Sequence, residues 1–333
     1  MEKMFDEYCL AHIKGPDLYC KKVNQSCPPA FCHFTCWGDW KRLRKENTEE
    51  VRKKCFKDIT PEVANNQDMV TVIIPCIKED AKYLARTVKA VRETAIGPIE
   101  IFTICDNWDG EDKKEYGDVV HSVDRVVGQR YATNWAARLA NGKYLFRLDA
   151  HCNMSKGWDA RMKDSCGDNT IVTTTFDGLD LNTWKGTNRD NGFVRLTDKL
   201  DSVFVRGWKT IEERDVEEET MGISGTSFMI TKDYYWKLGG SDEELGEYGA
   251  IGPEWSCKVW LTGGMCLVRT DVVCYHYFRR FTPFDIDNQE KAKAFDKLYQ
   301  QWVIGDDPRI TRPMGWLVMR FSHYLRARVW SRF

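Results

Sequence analysis

Asp149 and His151 stand two apart just after the run Tyr144 to Leu148, which reads as a strand. Side chains two apart in extended backbone face the same way, so a carboxylate and an imidazole leave this strand end together. His276, near the end of the strand-like run Met265 to Tyr277, adds a second imidazole if the two strand ends meet. One carboxylate and two imidazoles suit Mn²⁺ or a similar ion and leave coordination positions for phosphate oxygens. The chemistry such a trio could do is to hold an ion against a diphosphate. Taken alone, Asp-x-His is a weak signal that more often marks a strand-end aspartate beside a surface histidine. The surrounding elements favour the metal reading.

Those elements alternate between strand and helix patterns. Val70 to Ile74 is a β-branched run stopped by Pro75, as in a strand buried on both faces. Asp80 to Arg92 has helical spacing, with Leu84, Val88 and Val91 on one side. Ile99 to Cys105 reads as a second strand, ending in Asp106, Asp109, Glu111 and Asp112. Thr133 to Ala140 reads as a helix closed by Asn141-Gly142, and Tyr144 to Leu148 is the third strand. Strand-helix-strand repetition predicts parallel strands with crossover helices. Ligands of such sheets sit beyond the carboxyl ends of the strands, where residues 75–80, 106–112 and 149–151 would converge. A polar segment, 176–191, is followed by a strand at Ser227 to Thr231, a helix over Lys232 to Leu238 and a Gly-rich acidic loop from Gly239 to Pro253. A helix from Glu254 to Leu261 stops at Gly263-Gly264, and Met265 to Tyr277 is the last strand. Beyond these come a charged helix, Asn288 to Gln301, and a tail rich in Arg and aromatics from Arg320 to Phe333.

Composition narrows the class. With 42% apolar and 30% charged residues, the 333-residue chain matches neither disorder nor a fibrous protein. Lys and Arg total 49 against 50 Asp and Glu, so a polyanion must be met by a local patch. The first residues lack a basic stretch followed by an apolar one, and no apolar run approaches the ~20 residues that cross a bilayer. The expectation is a cytoplasmic protein with no membrane contact. Thirteen cysteines, an odd number, argue for reduced thiols or metal ligation. Cys9, Cys20, Cys27, Cys32 and Cys36 cluster with His12 and His33 in the first 40 residues. Structural zinc would let so small a piece fold, and free buried thiols or an iron-sulfur cluster are the alternatives. The basic runs Lys41–Lys45 and Arg52–Lys54 lie beside Phe31, Phe34, Trp37 and Trp40, a pattern that fits a nucleic-acid patch as well as a solvated helix face.

Pro75-Cys76-Ile77-Lys78-Glu79-Asp80 after a strand resembles the opening of family 2 glycosyltransferases and of polypeptide N-acetylgalactosaminyltransferases. Gly128 to Asn134 and Gly142 to Cys152 are similar, without a gap, to their helix, glycine stop, strand and Asp-x-Asp or Asp-x-His motif. Ser224 to Ile230 with Leu238-Gly239-Gly240 resembles the acceptor-side segment, and Cys274 to Arg279 the His-x-Phe-Arg segment. The likeness covers roughly residues 69–280. It implies an α/β nucleotide-sugar-binding GT-A fold, a mixed and mainly parallel sheet flanked by helices, over 67–280. A Cys-rich module over 1–66 and a helical extension over 281–333 would flank it.

By position, the resemblance implies that Asp149, His151 and His276 hold Mn²⁺ and that Pro75, Ile77, Glu79 and Asp106 line the uridine pocket of a UDP-sugar. Arg279 is a candidate for the diphosphate, and Glu254 for orienting or deprotonating the acceptor hydroxyl. Two positions depart from the family pattern: Cys105-Asp106-Asn107 where paired aspartates are usual, and Ile251-Gly252 where an acidic group is usual. The reading is a metal-dependent glycosyltransferase acting on a hydroxyl of a macromolecule. The layout also looks like bacteriophage-encoded glycosyltransferases, which makes a 5-hydroxymethyl pyrimidine in DNA the favoured acceptor and the host cytoplasm the setting. Protein Ser/Thr and surface glycans are the alternatives. A rival of another class is a non-catalytic nucleic-acid-binding protein on a decayed transferase domain.

Overall fold

The computed structural model describes residues 68–108, 113–123, 126–188, 192–196, 200, 202–206, 216–279, 288–305 and 307–322, together with a backbone ladder between Tyr19–Cys20 and Gln25–Ser26. The cysteine and histidine cluster of residues 9–36 lies outside the described residues apart from that ladder, as do Arg280 and the basic tail beyond 322.

Val70–Ile77 (β1) sits between two parallel neighbours, Ile99–Asp106 (β2) and Tyr144–Leu148 (β4), and Val119–Val123 (β3) continues the parallel set beyond β2. Both faces of β1 are buried. Val70, Val72 and Ile74 pack with Leu84, Val88 and Val91 of Ala81–Thr94 (α1) and with Trp158 and Met162 of Trp158–Ser165 (α3). Ile73 faces Ala132 and Ala136 of Gly128–Leu139 (α2). The strand runs through Pro75 rather than stopping there. Its pairing with β4 ends at Ile73, so a residue with no N–H leaves no acceptor on that side unmet.

The other half of the sheet is mixed. Ser227–Thr231 (β11) is antiparallel to β4 and to Thr170–Asp180 (β6), while Met265–His276 (β12) runs parallel to β6. Cys152–Met154 (β5) and Glu217–Glu219 (β10) pair antiparallel with β12, and Lys185–Gly186 (β7) with the end of β6. Gly192–Leu196 (β8) and Ser202–Arg206 (β9) form a hairpin at the far edge. The segment read as polar from Phe176 onward thus begins as strand, in continuity with a threonine-rich stretch. Those hydroxyls are satisfied internally: Thr173 Oγ1 donates to Ser227 O at 2.8 Å and Thr175 Oγ1 to Val272 O at 2.9 Å.

Lys232–Lys237 (α4) and Ile251–Leu261 (α5) cover the α2 side of the sheet. Leu298 of Asn288–Tyr299 (α6), Trp302, and Leu317 of Met314–Arg320 (α7) join the same core as Trp255 and Trp260, so the C-terminal helices share it. Helix α2 begins at Gly128, five residues before the expected Thr133, because its cap comes from Asp106 on a neighbouring strand. No helix among the described residues is long and apolar enough to cross a membrane. The seven described cysteines are all free and buried.

Gly142, expected as a helix stop, also holds α2 against β1: a Cβ there would lie 2.7 Å from both Met69 O and Thr71 N. Both contacts are backbone, so neither can swing aside. Gly142→Ala should therefore lower stability by about 1–3 kcal/mol, the usual cost of overpacking, read as a lower urea midpoint with unchanged slope.

Candidate metal and nucleotide site

β4 hands Asp149 to the site. Its backbone N–H donates to Thr226 O at 3.0 Å, which prolongs the pairing with β11 and fixes where the carboxylate starts. His276 arrives on β12, opposite Cys152 of β5, and the N–H of Tyr277 donates to His151 O at 3.2 Å. This pairing brings two histidines far apart in sequence to a ring separation of 4.8 Å. The ligand atoms of Asp149, His151 and His276 all lie within 4.8 Å of one another. The trio read from the sequence is therefore brought together.

The state of His276 tests whether these residues fit an ion. Both ring nitrogens are buried and neither has a hydrogen-bond partner; Nε2 lies 3.5 Å from Asp149 Oδ2, too far for a well-made bond. A buried, unpaired imidazole is costly, and a metal would supply the missing partner. Burial lowers its pKa, against the pull of Asp149, so the ring is held neutral, the form that ligates metals. For Asp149, burial alone would raise the pKa. Arg147, then His276 and His151, more than reverse this and hold the carboxyl well below the usual range. A charged carboxylate and a neutral imidazole are the pair a divalent ion needs.

Glu79 does a different task from the nucleoside contact expected of it. Its Oε2 lies 2.8 Å from His151 Nδ1, and its Oε1 accepts from Arg279 Nη2 and, at 3.0 Å, from the N–H of Asp80. A carboxylate only accepts, so Nδ1 carries the proton and Nε2 of His151 is left as the ligand atom. Arg279 is thereby tethered beside the site with its side chain 15% exposed. Pro75 and Ile77 are half-buried at the carboxyl end of β1, with Ile77 in register with Asp106.

Two expectations need correction. Asp106 was read as a nucleoside contact, but its Oδ1 accepts from Val127 N and its Oδ2 from Gly128 N, each at 2.8 Å. It caps α2, where the orphan N–H groups and the helix dipole favour a carboxylate. Glu254 was read as the group that deprotonates the acceptor. It is fully buried, with Oε2 at 2.7 Å from Arg130 Nε, and Oε1 at 2.5 Å from Lys258 Nζ and 2.6 Å from Asp242 N. Burial would raise its pKa, but Lys258 and Arg130 hold it below the ordinary value. It is a poor base with no face open to a substrate. Arg130 also donates to the carbonyls of Gly246 and Gly249, so the cluster pins the acidic loop 239–250 onto α2.

Arg147 is a site residue that the sequence motifs do not single out. It lies in β4 with its side chain 5% exposed, and donates from Nη1 to Asp149 Oδ1 at 2.7 Å and to Gly225 O, and from Nη2 to Gln129 Oε1 at 2.8 Å. A charge inside the buried pattern Tyr-Leu-Phe-Arg-Leu was the available signal.

Comparison with known proteins bears on this geometry. The model of glycosyl transferase family 2 matches residues 71–239, half of the chain. The chain belongs to glycosyl transferase family 2. Among curated relatives, polypeptide N-acetylgalactosaminyltransferase 3 of Taeniopygia guttata is 30% identical over 180 residues, 50% of this chain and 29% of that protein. Polypeptide N-acetylgalactosaminyltransferase 6 of Homo sapiens is 30% identical over 236 residues, 64% of this chain and 38% of that protein. The chain thus spans about a third of the length of these relatives. A crystal structure of GalNAc-T7 with UDP, GalNAc and Mn²⁺ aligns with a TM-score of 0.57 at 19% identity, over 85% of this chain and 58% of that one. The mixed sheet is the GT-A fold.

Two substitutions separate the roles assigned above. Glu254→Gln should leave Lys258 and Arg130 short of a counter-charge and cost about 3–5 kcal/mol, seen as a large drop in melting temperature. A variant that melts like wild type but has lost its turnover would restore Glu254 as the base. Glu79→Gln should weaken Mn²⁺ binding about 10–100-fold in a calorimetric titration, with little change in melting temperature.

Proposed function

We propose that this protein is a Mn²⁺-dependent glycosyltransferase that moves a sugar from a UDP-sugar to a hydroxyl of a macromolecular acceptor. The observation that carries the reading is the convergence of Asp149, His151 and an unpaired, neutral His276 at the carboxyl edge of the sheet. A GT-A fold and a UDP- and Mn²⁺-bound structural neighbour support it.

Asp149 Oδ2, His151 Nε2 and one ring nitrogen of His276 would hold the ion. When bound, Mn²⁺ (or Mg²⁺) supplies positive charge to the diphosphate oxygens as the bond to the sugar breaks. Glu79 keeps the proton of His151 on Nδ1 and so leaves the lone pair of Nε2 free to ligate an ion. Arg279, held by Glu79, places a guanidinium where a phosphate oxygen can be met. These fixed donors need little reorganisation when charge develops on the leaving group, which is the source of most rate enhancement in such sites.

The relatives' names point to a polypeptide as acceptor, which makes a protein Ser or Thr hydroxyl the first acceptor to test. The basic runs Lys41–Lys45 and Arg52–Lys54 favour a second, the hydroxymethyl group of a modified pyrimidine in DNA. The comparisons give that acceptor no support.

Incubation with UDP-sugars and Mn²⁺, each with a Ser/Thr peptide mixture or hydroxymethylated DNA, should give UDP release and a mass increment on one acceptor. Asp149→Ala, His151→Ala and His276→Ala should each lower the rate by about 100-fold or more. No UDP release from any UDP-sugar, or a His276→Ala variant at full rate, would overturn the reading. The former would favour the non-catalytic nucleic-acid-binding alternative.

A further inference from the structure

Arg147 is the one buried cation in contact with a metal-holding residue among the described residues. Its guanidinium takes three partners from three elements: Asp149 Oδ1 at the end of β4, Gly225 O before β11, and Gln129 Oε1 in the first turn of α2. With Nη1 and Nη2 so anchored and the side chain 5% exposed, it cannot swing aside when an ion arrives. Two consequences follow. Oδ1 of Asp149 carries the guanidinium, whose bulk and positive charge oppose an ion on that oxygen, so Oδ2, the oxygen nearer His276, is the one left to offer. The guanidinium also cancels the charge of Asp149, just as Arg279 cancels that of Glu79.

The charged protein groups around the trio therefore pair off, Asp149 with Arg147 and Glu79 with Arg279, and leave no carboxylate in excess. A divalent cation entering such a site meets one carboxylate oxygen, two imidazoles and a fixed positive charge close behind the carboxylate. Most sites that bind a free divalent ion tightly gather excess negative charge. Here that charge has to come from elsewhere, and a diphosphate carries it.

We propose that Arg147 is a positioning residue that restricts Asp149 to one ligand oxygen and makes ion binding dependent on the donor's diphosphate. The ion and the nucleotide then enter the site as a coupled pair, each raising the affinity of the other by the same factor. This rests on the UDP-sugar reading above and adds the residue that sets the order of assembly. Arg147 touches neither the sugar nor the acceptor in this assignment, and it acts through Asp149 and Gly225.

The test is binding rather than turnover. Mn²⁺ is titrated into wild type, Arg147→Met and Arg147→Gln, with and without saturating UDP, and free Mn²⁺ is read from its electron paramagnetic resonance signal. Wild type should bind Mn²⁺ weakly alone and at least about tenfold more tightly with UDP, within the range usual for coupled sites. Removal of the charge should free Oδ1, so both variants should bind Mn²⁺ alone about tenfold more tightly and lose most of the gain from UDP. Melting curves identify which variant is folded; Arg147→Gln keeps a hydrogen-bonding head if Arg147→Met does not fold. If both are unfolded, Gln129→Leu, which loosens the anchor of Nη2, should shift the same two affinities in the same direction by a smaller factor.

Variants that bind Mn²⁺ alone no more tightly than wild type, with the UDP gain intact, would overturn the role of Arg147 and leave the glycosyltransferase reading standing. Wild type that binds Mn²⁺ equally with and without UDP would also overturn it. Wild type that binds neither Mn²⁺ nor the UDP–Mn²⁺ pair would overturn both.

Discussion

The short antiparallel pairing of β5 with β12 is the constraint on which the site depends. It sets Cys152 opposite His276 and ties the N–H of Tyr277 to His151 O, so backbone hydrogen bonds bring the two residues together, and Glu79 then orients the His151 ring. β12 in turn is held along most of its length by β6, in parallel register from Met265 to His276 with one irregularity between Arg269 and Val273. The long strand is a rigid arm that carries its last residue to the end of β4. A ligand placed by a strand is held more precisely than one on a loop.

Around this arm the charged groups divide into two sets that do different work. One set lies at the carboxyl edge of the sheet: Asp149 with Arg147, and Glu79 with Arg279 and His151. The other is sealed in the core: Glu254 with Arg130 and Lys258. The sealed set fastens the acidic loop 239–250 to α2 through the carbonyls of Gly246 and Gly249, and Tyr235, Asn134 and Ser241 extend it with buried hydrogen bonds. Buried ions of this kind are expensive to desolvate, and here every carboxylate oxygen of Glu254 has its partner.

Local patterns were enough to read β1, α1, β2 and β4, since a β-branched run, an apolar stripe and a glycine stop each act within a few residues. They were also enough to bring Asp149, His151 and His276 together, because Asp149 and His151 share a strand end and His276 ends another. Three things were out of reach for one physical reason, that a partner distant in sequence decides them. Asp106 looks like a free strand-end acid until α2 is seen to begin beneath it. Glu254 looks like an exposed first-turn acid until Arg130, 124 positions earlier, closes over it. Pro75 looks like a terminator until β4 is seen to part from β1 two residues before it. The threonines of β6 hid a buried strand because their hydroxyls find carbonyl and hydroxyl partners on β11 and β12.

The position of β12 late in the chain has a bearing on how the molecule is made. A growing chain that has emerged as far as β4 already owns Asp149 and His151, together with the parallel strands that cradle them. It lacks their third companion until more than a hundred further residues have been translated and β12 has threaded beside β6. Contacts closed over such long loops are the slow ones in folding, because the chain entropy is surrendered before the pairing is gained. The three side chains therefore come together only after β12 has docked, and a chain folded no further than β4 holds two of them without the third.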